Sequence, residues 1–167
     1  MGDYTIRSVE ISPDLLPLLR EFSCGVPEMD GILHSQGLLA ELYVDNPVAY
    51  CVYNAEQELV GFCIIGKINL PLEYDGHCEY LDMVDVACLA IREDYRYLGI
   101  GTAILDLVCD KAEALVPGVE YVHVDALDLE DGTYSAVPFY QKYGFRYAAR
   151  AGKDVACMFY ALHKVQG

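Results

Sequence analysis

Positive charge is scarce in this sequence: its 167 residues include 11 Lys and Arg against 26 Asp and Glu, a formal net charge of −15. A surface this acidic repels phosphate groups, so the composition disfavours a general nucleic-acid binder and a protein that binds an anionic membrane. The same long-range field attracts cationic partners such as amines or basic peptides. The composition therefore predicts a cationic partner and makes nucleic acid an unexpected one.

Paired cysteines and long apolar stretches are also missing. The seven cysteines are an odd number, and no two of them are separated by two residues as in a zinc knuckle or a redox motif. They fall mostly in apolar runs, which indicates buried free thiols in a reducing compartment. Only His77 and Cys78 bring two metal-type ligands together, so no metal site is expected. Because no apolar signal core opens the chain and no segment approaches the ~20 apolar residues of a membrane span, we expect a cytoplasmic protein with no membrane partner.

The length predicts one domain over residues 1–167, with a core that needs no disulfide or metal. Apolar periodicity then predicts strands and helices along the chain. The predicted strands are Tyr4–Ile11, Val48–Tyr53, Leu59–Leu70, Leu81–Ile91, Val119–Leu127, Phe145–Arg150 and Asp154–Leu162. The predicted helices are Ser12–Arg20 with Ser12 as N-cap, Pro27–Tyr43, Gly99–Val116 and Ser135–Tyr143; acidic loops are expected at Pro71–Tyr80 and Asp128–Thr133. This order indicates a mixed α/β or α+β fold with helices on the faces of a central sheet.

The junction between the Leu81–Ile91 strand and the longest helix reads Arg96-Tyr97-Leu98-Gly99-Ile100-Gly101. Glycines at a helix start let the backbone approach a ligand, and the unpaired N–H groups of the first turn attract an anion such as a pyrophosphate. A dinucleotide-binding fold is disfavoured because Ile104 stands where a third glycine or alanine is needed. A nucleotide-triphosphate loop would need Gly-Lys-Ser/Thr, which is absent. A plain strand-to-helix turn remains the structural alternative.

A second motif, Ala136-x-x-Phe139-Tyr140-x-Lys142-x-Gly144-Phe145, falls on a short helix between two predicted strands. Pro138 suits the first turn of that helix, where a missing N–H costs little. Taken alone, the aromatic pair is typical of core packing, more so for Phe139 than for Tyr140.

Together and in this order, the two motifs resemble motifs A and B of the GNAT N-acetyltransferases, and the resemblance runs from about Val48 to Leu162. It implies the acyl-CoA N-acyltransferase fold, a mixed central sheet with two splayed parallel strands and flanking helices. It also implies acetyl-CoA as co-substrate, with the pyrophosphate on the loop amides and the pantetheine along the preceding strand. The cofactor-binding residues implied in this way are Leu89, Ala90, Ile91, Arg96, Tyr97, Leu98, Gly99, Ile100, Gly101 and Thr102.

The resemblance makes Tyr140 the general acid beside the thioester sulfur. A phenol with an ordinary pKa of about 10 is protonated at neutral pH and can donate to a departing thiolate. The sequence departs from the family at Thr133, where an asparagine is frequent. The hydroxyl of Thr133 or Ser135 is expected to substitute for that side chain.

Asp85 is the predicted general base, because several relatives carry a glutamate at the corresponding place on the buried strand. A carboxylate between Val84 and Val86 is also costly to bury without a task or a partner. The alternative is a carboxylate that caps a loop at the wet end of the strand. Glu79 and Asp82 are the other candidates for the base.

The sequence therefore predicts an acetyl-CoA-dependent N-acetyltransferase that acts on a primary amine by direct attack in a ternary complex. The acceptor is expected to be cationic: a small polyamine, an aminoglycoside-like cation or a lysine-bearing basic peptide. This expectation comes from two acidic clusters, Glu73/Asp75/Glu79/Asp82 and Asp128/Glu130/Asp131, with Arg92, Arg96 and Lys142 on the side of the CoA phosphates.

Two other functions stay open. One is a non-catalytic acyl-CoA-binding or protein-interaction module on the same fold. The other follows from Phe22-Ser23-Cys24-Gly25, Met29-Asp30 and Leu33, which resemble the opening of a bacterial subgroup that includes toxins acetylating aminoacyl-tRNA. The scarcity of basic residues argues against a tRNA acceptor. A homodimer is also expected, with the apolar Val155–Leu162 strand as the edge that pairs.

Overall fold

The apolar segments of the chain pair into one seven-stranded mixed sheet in a computed structural model that describes residues 3–34 and 44–162. The strand order is β1-β2-β3-β4-β5-β7-β6, and β4–β5 is the one parallel pair among these strands. The strands are β1 Tyr4–Val9, β2 Asp45–Asn54, β3 Leu59–Tyr74, β4 His77–Ile91, β5 Tyr121–Leu127, β6 Arg146–Gly152 and β7 Val155–Ala161. The helices are α1 Leu15–Glu21, α2 Pro27–Leu33, α3 Ile100–Leu115 and α4 Val137–Tyr143, with a 3-10 turn at Glu93–Tyr95. The predicted mixed α+β architecture is confirmed.

Two layers of apolar side chains hold the helices to the sheet. On one face, α3 and α4 pack with Val84, Val86, Val122 and Val124 into a single cluster. On the other face, α1 and α2 pack over β2, β3 and the last part of β4. Side chains alternate between faces along a strand, so the polar residues between these valines must point to the α1/α2 face.

A β-bulge reverses this alternation in β4. Ile64 pairs with Cys88 and Ile65 with Val86, which leaves Ala87 as the extra residue. Val86 therefore packs with α3, but Cys88, two residues on, packs with α1 and α2. Bulges of this kind redirect side chains and are frequent beside active sites. Nothing in the sequence pattern indicated it.

The segment Pro71–Tyr80, expected to be an acidic loop, is a β-hairpin instead. Strands β3 and β4 stay paired up to Tyr74 and His77 around a two-residue turn. Asp75 and Gly76 both have positive φ, 47° and 76°, as a type I′ turn requires. The Asp75-Gly76 dipeptide is typical of such a hairpin turn, but the acidic composition of the segment favoured the interpretation as a loop. Residues 69–82 thus form a two-stranded arm that carries the first acidic cluster.

Three further expectations are corrected. Helix α1 begins at Leu15, and Ser12 Oγ accepts the Asp14 N–H in the preceding turn without capping the helix. Helix α2 ends at Leu33, and residues 35–43 of the predicted Pro27–Tyr43 helix lie outside the described part. Strand β7 pairs with both β5 and β6, so the expected edge strand is interior and β6 is the edge. No helix in residues 3–34 and 44–162 is long and apolar enough to cross a membrane.

Gly66 gives a test of the packing at the start of β2. A Cβ at this position would lie 2.5 Å from Val44 Cγ2 and 3.0 Å from the Asp45 carbonyl oxygen, closer than real contacts allow. We expect Gly66→Ala to lower the free energy of unfolding by roughly 1–3 kcal/mol, measured by urea unfolding. Gly31→Ala is the control, because open space surrounds Gly31 in helix α2 and the change should be neutral or stabilising by up to about 1 kcal/mol. Equal stabilities of the two variants would contradict this packing.

Candidate active site

The candidate site lies where β4 and β5 part. Their parallel pairing spans Val84↔Val122, Asp85↔His123 and Val86↔Val124. Beyond it, β4 remains paired with β3 up to Ile91, while β5 continues with β7 as its partner. The side of β4 that faced β5 is therefore an open backbone edge over Ala87–Ile91, which includes the predicted residues Leu89, Ala90 and Ile91. The predicted splay of two parallel strands is confirmed.

The glycine loop leads from this edge into helix α3. Tyr97 and Gly99 have positive φ, 65° and 86°, and no atom would meet a Cβ on Gly99 within 4 Å. Gly99 is the N-cap of α3 and makes no side-chain capping bond, so the first N–H groups of this 16-residue helix are directed at the loop. The loop backbone from Tyr97 to Thr102 can thus hold an anion.

Gly101 has another purpose than the sequence suggested. A Cβ there would lie 2.7 Å from Phe139 Cζ, so this glycine makes room for a ring of α4. The close approach therefore joins the two motif helices. Of the two glycines, only Gly99 has the positive φ that the loop backbone requires.

Arg96 directs its charge at the protein itself. Its Nη2–H donates to the Cys24 carbonyl and its Nε–H to the Ile91 carbonyl, the latter at 3.5 Å. Its guanidinium also lies 5.6 Å from the ring centroid of Tyr134. Arg92 donates to the Asp94 carboxylate at 2.7 Å. Arg96 thus ties the loop to the segment around Cys24, and Arg92 is paired with a carboxylate of the loop itself, so the helix backbone supplies the attraction for phosphate in this arrangement.

Tyr140 enters the site from the α3 side of the sheet. Its side chain is buried, with the rings of Phe139 and Phe145 edge-on at 5.1 and 5.2 Å. Burial raises the pKa of Tyr140 well above that of an ordinary tyrosine, and interactions with the neighbouring ionisable groups Cys63, Tyr134, Cys88 and Asp85 act in the same direction. The phenol is therefore protonated at neutral pH and lies within electrostatic range of the predicted base.

Asp85 is fully buried, in contrast to a loop cap at the wet end of a strand. Its Oδ1 accepts a hydrogen bond from His123 Nδ1 at 2.6 Å, across the β4–β5 pair. Its Oδ2 is buried without a hydrogen-bond partner among the described residues. The other candidates for the base lie on the exposed arm: Asp82 binds Asn69 at 2.9 Å and Lys67 at 3.5 Å, and Glu79 is exposed.

His123 was missed by sequence reasoning. It lies between two buried valines of β5, and its Nε2 lies 3.2 Å from Asp125 Oδ1 in an ion pair. Burial lowers the pKa of His123, but hydrogen bonds to Asp125, Asp85 and Cys157 outweigh it and raise the pKa to about 11. The ring is thus an imidazolium between two carboxylates. The available signal in the sequence was that His123 and Asp125 are polar residues in an otherwise apolar strand. In the structure they lie on the same face of the sheet as Asp85.

His123, Asp125 and Cys157 place three potential ligand atoms within 4.8 Å of one another. Both ring nitrogens already have carboxylate partners, so we assign no metal ion to this cluster.

The acidic loop after β5 is bonded both within itself and to strand β6. Asp128 accepts from Arg150 at 2.6 Å, and Asp131 accepts the hydroxyl and the N–H of Thr133. Those bonds from Thr133 lower the pKa of Asp131. The Thr133 hydroxyl is therefore committed to its own loop, and Ser135 Oγ accepts the Val137 N–H at 3.2 Å.

A family model described as acetyltransferase (GNAT) domain matches residues 46–147. Among solved structures, AtaTR bound with acetyl-CoA is similar at a TM-score of 0.71 and 19% identity, over 97% of this chain and 95% of that one. A KacTA–DNA complex is similar at 0.67 and 18%, over 96% and 94%. AtaT complexed with acetyl-methionyl-tRNA is similar at 0.62 and 19%, over 93% and 94%. No curated protein matches the sequence.

The charged state of His123 gives a pH prediction. A pKa raised from about 6.5 to about 11 stabilises the fold fully below pH 6.5, and this stabilisation is lost as the pH rises toward 11. We expect the stability advantage of the wild type over His123→Gln to fall by about 1 kcal/mol per pH unit between about pH 7 and 8.5. Urea unfolding of both proteins across that range measures it. A pH-independent difference would mean that the ring is neutral.

Proposed function

The chain belongs to the GNAT acetyltransferase family, and we propose that it transfers the acetyl group of acetyl-CoA to a primary amine by direct attack in a ternary complex. The observation that carries this proposal is the open edge of β4 between the uncapped start of α3 and the buried phenol of Tyr140. An acyl-CoA molecule needs hydrogen-bond partners for its amides, an anion site for its pyrophosphate and a proton donor near its sulfur. The open edge of β4 supplies the first, the start of α3 the second and the phenol of Tyr140 the third.

The residues that would hold the co-substrate follow from this arrangement. The open edge of β4 along Leu89, Ala90 and Ile91 would bond the pantetheine arm through the backbone groups that point away from β3, and the amides from Tyr97 to Thr102 would bond phosphate oxygens. Arg96 supports the loop through the Cys24 carbonyl. When bound, acetyl-CoA supplies the thioester carbon that is attacked and the thiolate that leaves.

Two side chains move the protons of the reaction. An amine with pKa about 10 is mostly protonated at neutral pH and must lose that proton before its nitrogen can attack. Asp85 Oδ2 accepts that proton, since it is the unpaired oxygen of a buried carboxylate. Tyr140 donates its phenolic proton to the departing sulfur, and the raised pKa keeps that proton in place until it is needed.

The acceptor we propose is a cationic amine, in keeping with the net charge of −15. A second candidate acceptor is aminoacyl-tRNA, favoured by the similarity to AtaT in complex with acetyl-methionyl-tRNA. Because of this similarity, the prediction from composition that nucleic acid is an unexpected partner is left without support. Against the tRNA stands the commitment of Arg92, Arg96 and Arg150 to bonds within the protein.

Tyr140→Phe tests the general acid. Removal of one hydroxyl should lower kcat by about 10²–10⁴-fold, because the thiolate then leaves unprotonated. Acetyl-CoA should still raise the thermal midpoint of the variant, since ligand binding to the native state is unchanged. Tyr143→Phe is the matched control: it lies on the same helix, and its hydroxyl donates to Asp106 at 2.7 Å.

The assay is thiol release from acetyl-CoA with a panel of amines, basic peptides and aminoacyl-tRNA. If Tyr140→Phe and Tyr143→Phe both keep the activity of the wild type, Tyr140 is not the general acid. Binding of acetyl-CoA without release for any acceptor would support the non-catalytic module instead.

The acidic loop gives a test of acceptor charge. The double variant Glu130→Gln/Asp131→Asn should raise KM for a cationic amine at low salt and leave KM for acetyl-CoA unchanged. High salt should remove the difference by screening. Glu10→Gln/Asp14→Asn is the control, because it removes the same charge from exposed positions beside β1. An unchanged amine KM at low salt would refute electrostatic attraction by this loop.

A further inference from the structure

His123 joins the two parallel strands at the point where they separate. It faces Asp85 in the second of the three β4–β5 residue pairs, and the strands part after the third. The Nδ1–Oδ1 distance of 2.6 Å is that of a short charge-assisted hydrogen bond. The ring is therefore attached to the predicted base at the inner end of the cleft.

The ring itself cannot turn freely. Its Nε2 is bonded to Asp125, the Phe159 ring lies 5.3 Å from it, and Cys157 contacts it from β7. Among the described residues, the titratable groups that face the ring are Asp85 from β4, Asp125 from β5 and Cys157 from β7. With both nitrogens held, His123 can present Nδ1–H in only one direction.

This restraint selects which oxygen of Asp85 can react. Oδ1 is bonded to the ring, while Oδ2 has no hydrogen-bond partner among the described residues. A fully buried carboxylate could otherwise rotate and exchange its two oxygens, or turn toward a backbone donor. A buried polar atom that stays unpaired is uncommon and calls for a functional explanation.

We propose that His123 is a positioning residue for acetyl transfer: its Nδ1–H holds Asp85 Oδ1, so that Oδ2 stays directed at the acceptor amine. This rests on the proposed function, in which Asp85 takes the amine proton. In that step Oδ2 takes one proton from the ammonium group, and the neutral nitrogen then bonds to the thioester carbon as the carbon–sulfur bond breaks. The departing sulfur takes the phenolic proton of Tyr140, and the second proton released by the nitrogen restores the phenol. The cluster of Asp85, His123 and Asp125 passes from a charge of −1 to 0, and the imidazolium keeps its own two protons throughout.

The positively charged ring also places an opposite charge 2.6 Å from Oδ1 of this fully buried carboxylate. A carboxylate without a cationic partner would take up a proton more readily on burial and would then be unable to accept one from the amine. His123 thus has two separable effects on Asp85. Its hydrogen bond orients the carboxylate, and its positive charge favours the charged form of the carboxylate.

Two substitutions separate these effects. His123→Phe removes both the hydrogen bond and the charge, whereas His123→Gln can restore a donor to Oδ1 without charge. We expect His123→Phe to lower kcat at least about 10-fold and to shift the acid limb of the kcat/KM profile for the amine to higher pH. His123→Gln should recover part of kcat while the acid limb stays shifted. KM for acetyl-CoA should remain that of the wild type in both.

A purely structural bridge between the strands predicts a different result. In that case both variants would raise KM for acetyl-CoA and weaken its thermal stabilisation, with no shift of the pH profile, and the proposal would be overturned. Wild-type kcat in His123→Phe would overturn it as well. Should His123→Phe fail to fold, Asp125→Asn replaces it, since Asp125 is 40% exposed and acts on the far side of the ring. Unchanged kcat and pH profile in Asp125→Asn and His123→Gln together would then refute the proposal.

The outcome for the proposed function is read from the wild type alone. If wild-type protein releases no thiol with any acceptor, the proposed function fails before the variants are compared. If the wild type is active and Tyr140→Phe is impaired, but the His123 variants behave as the wild type, only the positioning role fails.

Discussion

The separation of β4 from β5 after three residue pairs is the constraint on which the rest of the site depends. A parallel pair normally continues its ladder to the strand ends, because unpaired backbone groups are costly to bury. Here β4 stays paired with β3 and β5 with β7 on their outer sides, so the separation leaves the facing sides of both strands, including the edge of β4, without a strand partner. The bulge at Ala87 lies at the same level and changes which side chains face each layer. One local irregularity thus opens a backbone edge and redirects the residues beside it.

Charge is distributed unevenly between the surface and this cleft. The chain carries a large excess of acidic residues, yet the cleft buries an imidazolium between two carboxylates. A buried charge is stable only when it is paired and hydrogen-bonded, and His123 meets this condition through both nitrogens. Asp85 meets it through one oxygen only. The arginines of the loop support neighbouring segments, so the helix start supplies the attraction for an anion.

The similarity to AtaT and KacT structures covers nearly the whole chain at identities below 25%, and at that level it concerns the fold. Within the shared fold, this chain combines an Asp-His-Asp cluster at the splay with a long acidic arm. The arm is built by the continuous pairing of β3 and β4 around Asp75 and Gly76.

The sequence by itself determined the order of the elements, the family and the identity of Tyr140 and Asp85 as the groups of interest. These follow from local periodicity and from motifs whose residues are close in the chain. Only the tertiary structure decided the register-dependent facts: the bulge at Ala87, the Asp85–His123 bond, the Cys24 carbonyl as partner of Arg96, and the packing of Gly101 against Phe139. Each of these joins residues far apart in sequence, and a shift of one residue in pairing exchanges the two faces of a strand. Periodicity predicts which face of a strand a side chain occupies, but it does not predict which residue lies opposite on the next strand. The role of His123 therefore became visible only from the pairing of β4 with β5.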